Sequence, residues 1–196
     1  MRNVMRLVAA VGCCLPLAAG CMGNIQIGTP SGMPGCTSPD GRVADSEILV
    51  AQSVPSAQLL PCLRSLPVGW SFRRLEVQSG RTQVQIGSSD LDGDHRVTVA
   101  LEAGCDVAGA PELASDLPGA RRYDRVAAAD TGYLADRYYV FQGGCISYHF
   151  DLHGRAGADA GAAVAAGLGS ISRSSVAAAV RDRSHGRLTL DPGGQP

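Results

Sequence analysis

Lysine is missing from this chain: all 17 basic residues are arginine. The arginines are scattered, with only Arg73-Arg74 and Arg121-Arg122 adjacent. Phosphate neutralisation needs a basic stripe or patch, so no nucleic-acid partner is expected. Abundant alanine and glycine beside the absent lysine read as the codon usage of a GC-rich genome, not as a binding surface. Long apolar runs are confined to the N-terminal end. The Ala-rich region at 158–180 is broken by Asp159, Arg173 and several glycines, too often for a bilayer span of about 20 residues. Catalytic signatures are missing as well. There is no Gly-x-Ser-x-Gly elbow, phosphate-binding loop, dinucleotide fingerprint or HExxH pair. The nearest run, Gly167-Leu168-Gly169-Ser170, lacks the elbow's spacing. No cofactor is implied.

What is present is concentrated at the start. Arg2 and Arg6 precede an apolar run from Leu7 to Ala18, interrupted only by Gly12 and Pro16, and then come Ala18, Ala19, Gly20 and Cys21. A helix of about 12 residues spans about 18 Å, well short of the hydrocarbon thickness of about 30 Å. The three parts match a secretion signal with small residues for peptidase access. Leu17-Ala18-Ala19-Gly20-Cys21 resembles the bacterial lipoprotein signal. That resemblance implies cleavage before Cys21, lipidation of Cys21, and anchoring by two or more acyl chains at the outer face of the bacterial cell membrane; one chain alone holds only marginally. Arg2 and Arg6 are not adjacent, so the twin-arginine route is not indicated.

The seven cysteines divide accordingly. Cys13 and Cys14 leave with the leader and Cys21 takes lipid, leaving Cys36, Cys62, Cys105 and Cys145. An even number in an oxidising compartment suggests two disulfides, with three connectivities possible. Pairing sequence neighbours, Cys36–Cys62 and Cys105–Cys145, is favoured, each bridge stabilising by roughly 3–4 kcal/mol. A zinc site is disfavoured, because none of the four sits in a CxxC pair.

Composition divides the rest. The leader is residues 1–20. Residues 21–45, with Gly23, Gly28, Pro30, Gly32, Pro34, Gly35, Pro39 and Gly41, read as a flexible tether averaging about 20 Å from Cys21 to Cys36. Residues 46–190 form one globular domain, and 191–196 a disordered tail. Without the leader's two arginines, fifteen arginines face eighteen acidic residues, a formal charge of −3.

Within the domain, Glu47 to Gln52 reads as a short strand. Leu59, Leu63 and Leu66 read as one face of a short helix limited by Pro61. Phe72 to Val77 and Thr82 to Ile86 flank Ser79-Gly80 as a hairpin. Val97, Val99 and Leu101 alternate with Arg96, Thr98 and Ala100 in a half-buried strand. Residues 103–120 look irregular, and Arg121 to Val126 is a further strand. Tyr138 to Phe141 and Cys145 to Leu152 form a hairpin about Gly143-Gly144, with Ile146, Tyr148, Phe150 and Leu152 facing the core. Residues 157–169 and 173–183 read as helices, the second capped by Ser172, and Arg187 to Leu190 as an edge strand. The class is α+β: a single antiparallel β-sheet of about six strands, with two or three helices on one face.

Three sets of side chains merit chemical attention. His149, Asp151 and His153 share a strand face, a donor set suited to transition metals. Neighbours two apart lie about 6.6 Å from each other along a strand. One ion could therefore take two of them, with His95 or His185 as a third ligand. Asp90, Asp92 and Asp94 resemble a calcium loop, but counting from Asp90 the sixth and twelfth positions are His95 and Leu101 rather than Gly and Glu. Trp70, the only tryptophan, reads as a core anchor, with a surface contact as the alternative, and joins Tyr138 and Tyr139 as a ligand-binding candidate. Tyr123, Tyr133, Tyr138, Tyr139 and Tyr148 could line a ligand groove, and Tyr138 and Tyr139 must point to opposite faces. The leading expectation is a non-catalytic, lipid-anchored envelope domain binding a small ligand or a partner protein. The alternative is an extracytoplasmic hydrolase or metal-binding protein using the His149/Asp151/His153 face.

Overall fold

The computed structural model describes residues 26–27, 34–36, 44–88, 95–128 and 132–192. The leader, Cys21 and the Asp90/Asp92/Asp94 loop lie outside them. The class is α+β. Among the described residues three helices accompany a main antiparallel sheet, and both disulfides are formed as the pairing of sequence neighbours predicts.

The main sheet has eight strands rather than six. Six are long: β3 (Trp70–Gln78), β4 (Arg81–Ser88), β5 (His95–Glu102), β7 (Ala120–Ala128), β8 (Gly132–Phe141) and β9 (Gly144–His153). Two-residue pieces, β1 (Gln26–Ile27) and β6 (Glu112–Leu113), finish its edges, giving the order β1-β3-β4-β5-β9-β8-β7-β6. After β5 the chain crosses to the far edge and returns strand by strand until β9 pairs with β5. That central pairing sets Leu101 opposite Ile146, Val99 opposite Tyr148 and Val97 opposite Phe150. All six are buried, which is why the period-2 pattern of both strands is so clean. Cys105, just past β5, is bonded to Cys145 at the start of β9, so this bridge clamps both ends of the excursion.

A second layer covers one face of the sheet. Helix α1 (Asp45–Ser53) lies against β3 and β4, and α2 (Gly157–Gly167) against β8 and β9. Between them sits a separate two-stranded sheet of β2 (Leu59–Leu63) and β10 (Leu168–Ser172). Helix α3 (Arg173–Arg183) packs on α1 and β10. Its N-terminus is capped as expected, the Ser175 amide donating to Ser172 Oγ at 3.1 Å.

Four local expectations are corrected. The run expected as a strand from Glu47 is α1. Its apolar residues fit either element, and Glu47 decides for helix: its carboxylate accepts the N-cap amide of Ala44 at 2.7 Å, closing a donor at the helix start, and also the Gly35 amide from an upstream segment at 3.1 Å. The expected Leu59/Leu63/Leu66 helix is instead β2, because its backbone finds partners far away in sequence. Leu63 donates to Pro34 O at 2.8 Å and Cys36 donates to Leu63 O at 3.0 Å, a pairing pinned by Cys36–Cys62. Arg187 to Leu190 forms no strand; the chain turns through His185 and Gly186, and Leu190 tucks into the core. In the β8–β9 turn only Gly143 takes positive φ, and Gly144 already opens β9. A side chain at Gly143 would meet Ser56 O at 1.9 Å.

Burial raises the Glu47 pKa against its two backbone hydrogen bonds. A raised folded pKa contributes stability that is fully present below the ordinary glutamate value and is lost as pH rises through the folded one. Glu47→Ala should therefore cost about 2 kcal/mol near pH 5, through two amides left without partners, and less at pH 8. Denaturant midpoints at both pH values measure this; a loss independent of pH would contradict it.

Candidate functional site

The open face of the sheet carries the histidine set. His149 Nδ1 lies 2.7 Å from Asp136 Oδ1 on the neighbouring strand, and His153 Nε2 lies 3.7 Å from Asp151 Oδ1. His149 and His153 are exposed. Among the described residues no three His, Cys, Asp or Glu side chains converge as metal ligands, and no hydroxyl or thiol bonds the second nitrogen of His149. His95 is buried against Trp70 and His153, with ring centroids 6.3 Å from each. His185 lies beyond the end of α3, at φ 53°. The aromatic candidates separate as their alternation requires. Trp70 is buried at the head of β3. Tyr138 is on the open face with the Arg125 guanidinium 5.7 Å over its ring, and Tyr139 is buried on the covered face.

The covered face is not apolar throughout. Toward β7 its rows end in charge: Val99–Tyr148 continues to Arg137 and Asp124, and Leu101–Ile146 continues to Tyr139 and Arg122. Asp124 accepts two hydrogen bonds from Arg122, at 2.9 and 2.6 Å, and others from Arg137 Nε at 3.2 Å. Burial pushes the Asp124 carboxyl up, but the Arg122 hydrogen bonds and the charges of Arg137 and Arg122 outweigh it, so its pKa falls below the ordinary value. The hydrogen bond to Asp124 raises that of Arg122. One turn of chain away, the Tyr139 hydroxyl donates to Asp116 Oδ1 at 2.8 Å, and Arg122 Nη1 lies 3.6 Å from the same oxygen.

Beside this network is a cavity of about 80 Å³, bordered by Arg64, Asp116, Tyr139 and Tyr148, with Ala165 and Gly169 from the end of α2 and from β10. Tyr148 is only 4% exposed and borders this cavity; among the described residues its hydroxyl makes no hydrogen bond. Burial and the neighbouring Tyr139 and Asp116 raise its pKa, while Arg137 and Arg64 act the other way, so the phenol stands within reach of charges of both signs. Burial and the Asp116 hydrogen bond push Tyr139 up to about 12. Both phenols are protonated donors at neutral pH. Arg64 lies over Gly169, where a Cβ would come within 2.8 Å of its Nε; glycine is what lets the guanidinium settle there. No carboxylate is in ion-pair distance of Arg64 among the described residues.

A larger groove of about 550 Å³ runs between α1 and the end of α3, formed by Ile48, Val180 and Leu188 beside Asp45, Arg183 and Arg187. Its walls are mainly apolar, and its polar rim includes an ion pair, Arg183 with Asp45 at 3.6 Å. Ligand sites are marked by convergent polar groups that fix orientation, so the smaller cavity is the stronger candidate.

The sequence offers Tyr139 as a ligand-binding candidate and Tyr148 as a core-facing member of the tyrosine set, and it passes over Arg64, Asp116, Arg122, Asp124 and Arg137. One signal was present. Ala135, Arg137, Tyr139 and Phe141 share a face in the alternation of β8, and a charge in a core-facing series indicates a polar continuation of the core. No protein family, curated protein or solved structure matches this chain. No helix among the described residues is long and apolar enough to cross a membrane.

Proposed function

We propose that this chain is a lipid-anchored envelope protein at the outer face of the bacterial cell membrane, whose folded part binds a small polar ligand without transforming it. The Leu17–Cys21 signal supports the anchor. The Tyr148 hydroxyl carries the binding reading. Among the described residues it makes no hydrogen bond, and it borders a cavity shared with Arg64, which has no carboxylate in ion-pair distance among them. The cavity phenols favour holding over proton transfer: both have raised pKa values, whereas general acid–base work favours a pKa near the operating pH.

Tyr148→Phe tests the reading without knowledge of the ligand. It should leave the ligand-free protein as stable as before or up to about 1 kcal/mol more stable. A loss beyond about 1 kcal/mol would show the hydroxyl engaged within the protein and would remove the argument. Mass spectrometry of the mature N-terminus should find Cys21 acylated; an unprocessed leader would end the anchoring half.

The His149–Asp136 hydrogen bond favours a second reading, an extracytoplasmic hydrolase or metal-binding protein working on the open sheet face. That reading requires bound metal on elemental analysis, or an activity lost in His149→Ala.

A further inference from the structure

The same cavity carries a statement about ligand chemistry, and it rests on the binding reading above. Arg64 and Tyr148 both line it, and among the described residues neither the guanidinium nor the hydroxyl has a hydrogen-bond acceptor. Together they suit a carboxylate, a charge-assisted acceptor for both. Asp116 borders the same space, its side chain 69% exposed. Among the described residues it accepts only the Tyr139 hydroxyl at 2.8 Å and a distant approach from Arg122 at 3.6 Å, so lone pairs remain for another donor. A simple anion would meet the Asp116 carboxylate as a like charge, and a simple cation would meet Arg64. A group carrying both signs on neighbouring atoms satisfies all three. At about 80 Å³, and with a water occupying about 30 Å³ of liquid, the space holds two or three waters, comparable to the five heavy atoms of an amino-acid headgroup. The exposure of Arg64 and Asp116 leaves a way out for whatever the headgroup is attached to.

We infer that the cavity binds a zwitterionic α-amino-carboxylate headgroup, its carboxylate on Arg64 and Tyr148 and its ammonium on Asp116. A free amino acid presents this group, and so does the unlinked end of a diamino acid in a cell-wall peptide.

Calorimetric titration of the full chain tests the inference with four probes: alanine, a cell-wall peptide containing diaminopimelate, acetate and methylammonium. Alanine, the peptide or both should bind saturably, and acetate and methylammonium at least about tenfold more weakly, as the loss of one charge-assisted contact requires. The tighter of alanine and the peptide identifies the source. Arg64→Gln and Tyr148→Phe should each weaken the zwitterion about tenfold. Asp116→Asn, which keeps an acceptor for Tyr139, should bring acetate level with alanine. Acetate binding the native chain as tightly as alanine would overturn the zwitterion assignment, as would no saturable binding of either zwitterion to folded protein. In both cases the stability of ligand-free Tyr148→Phe still reports separately on whether the cavity is a ligand site.

Discussion

Unfolding of the Cys105→Ala/Cys145→Ala variant is expected to require about 4 kcal/mol less than unfolding of the native chain. The bridge spans 40 residues of sequence, and closing a loop of that length removes chain entropy from the unfolded state worth about 4 kcal/mol. The closed segment holds the crossing from β5 to the far edge of the sheet and the return through β7 and β8. Cys145 is fully buried, and alanine introduces no polar atom there. Removing Cys36–Cys62, with a separation of 26, should cost slightly less, about 3.5 kcal/mol by the same relation. It should loosen the join between residues 34–36 and β2 before it affects the main sheet. Denaturant unfolding without reductant measures both, and hydrogen exchange locates them. A loss under 1 kcal/mol for the Cys105/Cys145 variant would mean that the bridge does not constrain the unfolded chain.

Asp124→Ala should cost about 3 kcal/mol, the low end of the penalty for removing one member of a buried ion pair. The side chains of Arg122, Asp124 and Arg137 are each less than a fifth exposed, so the deletion strands two guanidinium groups against the β8–β9 core. Arg137 also lies over the Phe150 ring, at 5.9 Å from its centroid, and loses the partner that steadies it there. The pH dependence has a definite sign. Asp124 has a lowered folded pKa, so its contribution is complete above the ordinary aspartate value near 3.8 and disappears as pH falls through the depressed one. Native protein should therefore lose stability on acidification below about pH 4 more steeply than Asp124→Asn. Equal acid slopes would sink this account. Glu47 acts in the opposite sense, and the Glu47→Ala comparison separates the two.

Legibility followed the distance over which each decision is made. The alternation of Ile146, Tyr148, Phe150 and Leu152 was readable because a strand buried on one face writes its period directly into the chain. Helix α3 was readable from its Ser172 cap. Ile48-Leu49-Val50-Ala51 was not, since four consecutive apolar residues suit a strand or a buried helix, and the deciding carboxylate bonds an amide twelve residues upstream. Leu59 and Leu63 repeat at a helical interval, yet Pro34 and Gly167 supply hydrogen-bond partners along Leu63 and Arg64 that local periodicity does not encode. The candidate site was least legible. Arg64, Asp116, Tyr139 and Tyr148 come from separate stretches of the chain, and no spacing rule links them.

Composition and local pattern alone determined the α+β class and which side of β5 and β9 meets the core, and they favoured one of three cysteine connectivities, the pairing of sequence neighbours. Each of these depends on residues close along the chain or on simple parity. Tertiary structure alone decided that Asp45–Ser53 is helical, that Leu59–Leu63 is extended, and that two tyrosines, an arginine and an aspartate share one small cavity. Those outcomes depend on strand register and on the β5–β9 pairing, which joins segments dozens of residues apart, and a side chain's partners across such a gap exist only once the sheet has closed.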